Sequence, residues 1–166
     1  MKKILFFIAS IIIAGNLFAQ ADTIQPPYKK FNTFPPIKLL LPDSSTYYTK
    51  DDLPKKDAVM LMLFSPGCSH CRVETDSLLK NIDKFANIRI VMATTMPFED
   101  MVSFIREFKL NKYPNIVVGR DEQFFIPVYF GVSHLPFLAF YDKKKTLISV
   151  FEGDMKIDNI LTELKK

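Results

Sequence analysis

Phe64-Ser65-Pro66-Gly67-Cys68-Ser69-His70-Cys71-Arg72 holds the only two cysteines of the 166-residue chain, and it follows directly on the apolar run Ala58 to Phe64. An uninterrupted apolar run of this length reads as a strand covered on both faces. Beyond the cysteines, Val73, Leu78, Ile82 and Phe85 fall near helical spacing and predict a helix from Ser69 to Phe85. The C-x-x-C pair therefore stands where a strand ends and a helix begins. A thiol at a helix N-terminus meets free backbone N–H groups and the positive end of the helix dipole, which favour its thiolate. A second thiol three residues on can close a disulfide with the first. A structural staple is the competing reading, but it closes a loop too small to constrain the unfolded chain much. Metal binding is a third.

Working outward, the chain alternates strands and helices. Ile37 to Leu41 and Thr46 to Thr49 are short strand candidates around the turn residues Pro42-Asp43-Ser44-Ser45. Ile88 to Thr94 is the next strand. Pro97 then opens a helix with Met101, Ile105 and Phe108 on one face, followed by a strand at Asn115 to Val118. Phe124 to Phe130 is apolar but interrupted by Pro127, so its periodicity does not choose between strand and helix. Phe137 to Tyr141 and Leu147 to Phe151 form a hairpin around Asp142-Lys143-Lys144-Lys145, and Asp154 is expected to cap a last helix with Ile157, Ile160, Leu161 and Leu164 as its apolar stripe. This order predicts an α/β (α+β layers) fold. The sixteen Phe supply core, and five glycines leave little room for a phosphate loop.

The N-terminus predicts a compartment. Met1-Lys2-Lys3, the apolar Ile4 to Ala14, and Leu17-Phe18-Ala19 before Gln20-Ala21 have the order of a secretory signal peptide over residues 1–19, with cleavage before Gln20 or Asp22. An uncleaved membrane anchor is the alternative, and either way the folded part works outside the cytoplasm, in the periplasm or secreted. Residues 20–36 form an extended, Pro-rich lead-in, and residues 37–166 one domain. Loss of Lys2 and Lys3 leaves 20 basic against 18 acidic residues, a net charge of +2. No basic cluster stands on an aromatic platform, so nucleic-acid binding is not indicated.

Strand, C-x-x-C at a helix start, Leu135-Pro136 just ahead of the strand Phe137 to Tyr141, a hairpin and a terminal helix resemble the thioredoxin fold. Pro36 to Pro42, then Leu53 and a Lys-rich turn before the central strand, are similar to the exported TlpA/ResA-type thiol–disulfide oxidoreductases. Glu74, three residues after Cys71, fits that branch. The resemblance covers roughly Phe34 to Lys166. It implies a thioredoxin-like fold with a central mixed sheet flanked by helices, an N-terminal β extension, and an inserted helix and strand over Pro97 to Val118. Such an insertion can shape a partner-binding surface.

The resemblance also implies roles. Cys68 is expected to be the exposed nucleophile and Cys71 the buried resolver, together the redox-active disulfide. His70 can place a positive charge near the Cys68 sulfur. Glu74, on the helical face of Cys71, can take its proton. Pro136 matches the family's cis-proline, with Leu135 offering its backbone to a substrate strand. The departures are Gly67 where most relatives carry Trp, Asp76 where many have a helix-kinking Pro, and Met62 in place of a buried acid.

The function expected is exchange of disulfides with envelope proteins, without a cofactor and leaning to reduction, with a membrane electron donor or acceptor as a further partner. Two alternatives remain at this stage. One is a copper-delivery protein using Cys68, Cys71 and His134, whose thiolates and imidazole suit Cu(I). The other is a non-catalytic thioredoxin-like adaptor.

Overall fold

All six residues of Ala58–Leu63 (β3) are buried, and the computed structural model, which describes residues 25–166, shows why the run lacks an apolar–polar alternation. Val59, Leu61 and Leu63 point into one core while Met60 and Met62 point into another on the opposite side of the sheet. The period of two is intact, but both sets must be apolar because both faces are covered. The expected signal peptide lies outside the described residues. Among those residues no helix is long and apolar enough to cross a membrane.

Seven strands form one mixed sheet: Lys38–Leu40 (β1), Tyr47–Thr49 (β2), β3, Ile88–Thr94 (β4), Ile116–Arg120 (β5), Phe137–Tyr141 (β6) and Leu147–Glu152 (β7), in the spatial order β2-β1-β5-β4-β3-β6-β7. β3, β4 and β5 run parallel, and the remaining neighbours are antiparallel. Leu63 pairs with Phe137, so the exit of β3 and the entry of β6 lie side by side at one end of the sheet. That pairing brings two loops 67 residues apart in sequence to the same place.

Helices cover both faces. Ser69–Lys80 (α1), Phe98–Phe108 (α2) and Ile157–Glu163 (α4) press Cys71, Leu78, Met101, Phe104 and Ile160 onto one face. Phe125–Phe130 (α3) covers the other with Ile126, Tyr129 and Phe130, together with Phe34 and Ile37 of the N-terminal segment. The described part of the lead-in is tied down as well. Phe34 is 1% exposed, donates its N–H to the Lys145 carbonyl at 2.9 Å, and sets its ring 4.8 Å from that of Tyr141.

Several sequence expectations are corrected. α1 stops at Lys80, five residues early, because Asn81 leaves helical dihedrals and its side-chain amide donates to the Ser77 carbonyl; a 3₁₀ turn carries the chain over Ile82–Phe85. Phe125–Phe130, whose sequence left strand and helix open, is helical. The buried Asp121 carboxylate accepts from the N–H groups of Phe125 and Ile126 at 3.1 and 2.7 Å, and Pro127 sits in the first turn, where no donor is required. The last helix begins after Lys156, so Asp154 is not its cap. The helix and strand over Pro97 to Val118, expected as an insertion, pack into the domain: α2 buries Met101, Phe104 and Ile105, and β5 joins the N-terminal hairpin to the sheet. At that junction Gly119 lies so near β1 that a Cβ there would stand 2.7 Å from the Cβ of Leu39.

Candidate active site

Cys68 is the N-cap of α1, with extended dihedrals, and its sulfur accepts the Cys71 N–H at 3.4 Å. A sulfur in that position takes the place of the oxygen of an ordinary capping side chain and satisfies one of the free donors of the first turn. The Cys68 thiol is half-buried and faces the Leu135 carbonyl across 3.9 Å. The Leu135–Pro136 peptide is cis. Gly67, just ahead of Cys68, has open space around it, since a Cβ built there meets nothing within 4 Å.

One turn further, Cys71 has no exposed surface and belongs to the core beneath α1, with Met62, Phe64 and Leu78. Both cysteines are free thiols. Burial pushes the Cys71 thiol up to about 12, and the neighbouring Cys68 sulfur adds to the rise. The two sulfurs thus differ in access: one is open to a partner, the other sealed.

Glu74 is 2% exposed. Its Oε2 accepts the Met155 N–H at 2.7 Å, while the buried Oε1 has no partner among the described residues. Burial raises this carboxyl to about 7; the Met155 hydrogen bond opposes the rise and the charge of Asp154 adds to it. A carboxyl poised there can hold or release a proton near neutrality.

His70 is placed differently from expectation. Its Nδ1 lies 2.9 Å from Oδ1 of Asp154, both side chains being exposed, so the imidazole is engaged with the loop after β7 instead of the Cys68 sulfur. His134 does not join the dithiol either. Its exposed ring is bound to Oε2 of Glu152 at 3.1 Å, and among the described residues no three His, Cys, Asp or Glu side chains converge as metal ligands would.

In the sequence Asp154 spells a helix cap, because an Asp between a strand and an amphipathic helix fits that role equally well. Arg72 belongs to no motif. Its guanidinium pairs with Glu107 and lies 5.2 Å from the centre of the Phe108 ring, tying α1 to α2. The two helices border a cleft of about 370 Å³ that includes Ser65, Gly67, Met96, Asp100 and Ser103.

No family model matches the chain, and no curated protein matches it in sequence. Solved structures do match. A secreted Mycobacterium tuberculosis disulfide oxidoreductase homologous to E. coli DsbE is 20% identical over 76% of this chain and 92% of its own, with a TM-score of 0.63. The exposed lipoprotein thioredoxin Etrx1 of Streptococcus pneumoniae is 23% identical over 79% and 98%, with a TM-score of 0.62. A peroxiredoxin-like protein from Aquifex aeolicus is 13% identical over 81% and 84%, with a TM-score of 0.63. The chain has the thioredoxin-like fold. At these identities the likeness is one of fold, and the chemistry must be read from the site.

Proposed function

We propose that this chain is a thiol–disulfide oxidoreductase that exchanges disulfides with proteins outside the cytoplasm and works as a reductase. The observation that carries the reading is the asymmetry of the dithiol: an accessible Cys68 sulfur at the start of α1 beside a sealed Cys71, with the buried Glu74 carboxyl one turn beyond. The disulfide oxidoreductase and the thioredoxin that share this fold support the same chemistry.

The reaction runs in two exchanges. The Cys68 thiolate attacks one sulfur of a substrate disulfide; a Cys68–substrate bond forms, and the first substrate sulfur leaves as a thiolate. Cys71 then gives its proton to the Glu74 carboxylate and attacks the Cys68 sulfur. The Cys68–Cys71 disulfide forms, the mixed disulfide breaks, and the second substrate sulfur departs. Two electrons pass from the dithiol to the substrate. Without a base the Cys71 proton is a barrier, since so buried a thiol is almost wholly protonated at neutral pH. The carbonyl of Leu135, facing Cys68, supports the docking of a substrate backbone there.

Direction follows from His70. An imidazolium beside Cys68 stabilises the thiolate and makes a dithiol more oxidising. Here Asp154 holds the ring through Nδ1, which supports the reducing direction. The basic Met1-Lys2-Lys3 and the apolar Ile4 to Ala14 support export.

The test is a redox titration of the chain in glutathione buffers with thiol trapping of Cys68 and Cys71, alongside cell fractionation. A reversible internal disulfide with a potential toward the thioredoxin end, about −270 mV, is the expected result. A potential near −120 mV reverses the direction. No reversible disulfide at all removes the proposal.

A further inference from the structure

Four consecutive residues, the last of β7 and the three that follow it, each hold a different part of the site. Glu152 accepts the Ser133 N–H at 2.9 Å and the His134 ring at 3.1 Å. Gly153, at φ +102°, donates its N–H to the Pro136 carbonyl at 2.8 Å. Asp154 holds His70, and Met155 donates to Glu74. Glu152 and Gly153 thus grip the loop that faces Cys68, while Asp154 and Met155 grip the helix that carries both cysteines. The positive φ at Gly153 is the turn that lets neighbouring residues reach in these different directions.

We propose that Glu152–Met155 is a strap across the dithiol and that Asp154 is a positioning residue of the exchange reaction, linking the exposed His70 to the buried Glu74. This rests on the function proposed above. Asp154 bears on Glu74 as a negative charge, and His70 is the side chain in contact with Asp154 on its outer side, an ion-pair partner whenever its ring is protonated. The His70–Asp154 contact lies in solvent, where ion pairs add little to stability, so its role is orientation and charge and not holding the fold together. The groups that bear on Glu74 are the Met155 N–H and the Asp154 charge, both from the strap, and Asp154 is in turn in contact with His70. The sheet and α4 contribute apolar side chains to the core beneath α1, Met62, Leu138 and Ile160 among them, and α4 carries Lys156 and Asp158 at its exposed start.

The two ends of the link act on Glu74 with opposite sign. Removing the Asp154 charge lowers the pH at which Glu74 titrates. Removing His70 takes away the partner that compensates the Asp154 charge when the ring is protonated, and raises that pH. The test follows the Glu74 side-chain carboxyl by ¹³C NMR across pH 4–9 in the reduced full chain, comparing the wild type with Asp154→Asn, Asp154→Glu and His70→Gln. A fall of about half a unit in Asp154→Asn, a rise in His70→Gln, and restoration in Asp154→Glu are expected. The acidic limb of the rate at which Cys71 resolves a mixed disulfide moves with each. Should Asp154→Asn fail to fold, His70→Gln still tests the link, because it leaves the strap intact. An unmoved Glu74, or a shift of the same sign in both variants, overturns the proposal. Because the titration needs no disulfide chemistry, opposite shifts in a chain that exchanges no disulfides would leave the strap standing and remove the function.

Discussion

Met155 donates its backbone N–H to Oε2 of Glu74 at 2.7 Å, so a carboxyl on the cysteine-bearing helix is held from outside that helix by the segment leaving β7. One oxygen is satisfied, and the other, buried, has no partner among the described residues. This half-satisfied state costs most when the group is charged, and it makes stability depend on pH.

Glu74 takes up a proton at about 7 in the folded chain against 4.5 in the unfolded one. Between those values the folded state binds more protons, so folding stability falls as pH rises through that window. The loss, at 1.36 kcal/mol per unit, is roughly 3 kcal/mol. Urea unfolding of the reduced protein at pH 5 and pH 8 is expected to show this drop, and Glu74→Gln to remove most of it. An equal slope in both proteins would place the titrating group elsewhere.

The sealed Cys71 is expected to resist alkylation. With its thiol pushed up to about 12, its thiolate fraction at pH 7 is on the order of 10⁻⁵, and no surface is open to a reagent. Iodoacetamide followed by peptide mass spectrometry will find label on Cys68 and none on Cys71 in the native protein, and on both in urea. Cys71→Ser will accumulate the mixed disulfide, and Cys68→Ser will form none.

Gly67 lies in the open, so the Trp that the thioredoxin resemblance leads one to expect there can be introduced. Gly67→Trp meets no atom at its Cβ and is expected to change stability by less than about 0.5 kcal/mol. Its effect belongs to the encounter with protein disulfides. The rate of reduction of a protein substrate will change while that of a small disulfide holds, a split read from parallel stopped-flow assays.

Phe34→Ala is expected to cost about 3–5 kcal/mol, the range for emptying a buried aromatic site. Denaturant midpoints measure this directly. A loss below 1 kcal/mol would mean that the N-terminal segment is an appendage and not part of the core.

The sequence made the architecture legible where one physical pressure acted alone. Ala58 to Phe64 could only be a fully covered strand, and Cys68 and Cys71 could only sit at its exit. Legibility failed where two pressures give the same letters. Asp154 reads as a cap because a carboxylate before a helix is favourable there; that it turns to His70 depends on the antiparallel β6–β7 pairing, which no local window contains. Asp121 looks like a loop residue until α3 folds over it and its carboxylate becomes the anchor for two backbone donors. The end of α1 was missed because Ile82 and Phe85 keep an apolar spacing that a 3₁₀ turn serves as well as a helix. Arg72 could not be paired with Glu107 before the position of α2 was known. The spacing of Glu74 from Cys71 spells a shared helical face, but its burial depends on elements distant in sequence.

The β1–β2 hairpin meets the rest of the sheet through a single register pair, Leu40 with Arg120, next to the close approach at Gly119. Such a joint opens at a lower free energy than the six-residue ladder between β3 and β4. Amide protons of β1 and of the facing edge of β5 will therefore exchange with solvent long before those of β3. Each such opening leaves β5 as an unpaired edge that another chain can add to, and in this fold the path to aggregation starts there, at the end of the sheet farthest from β6 and β7.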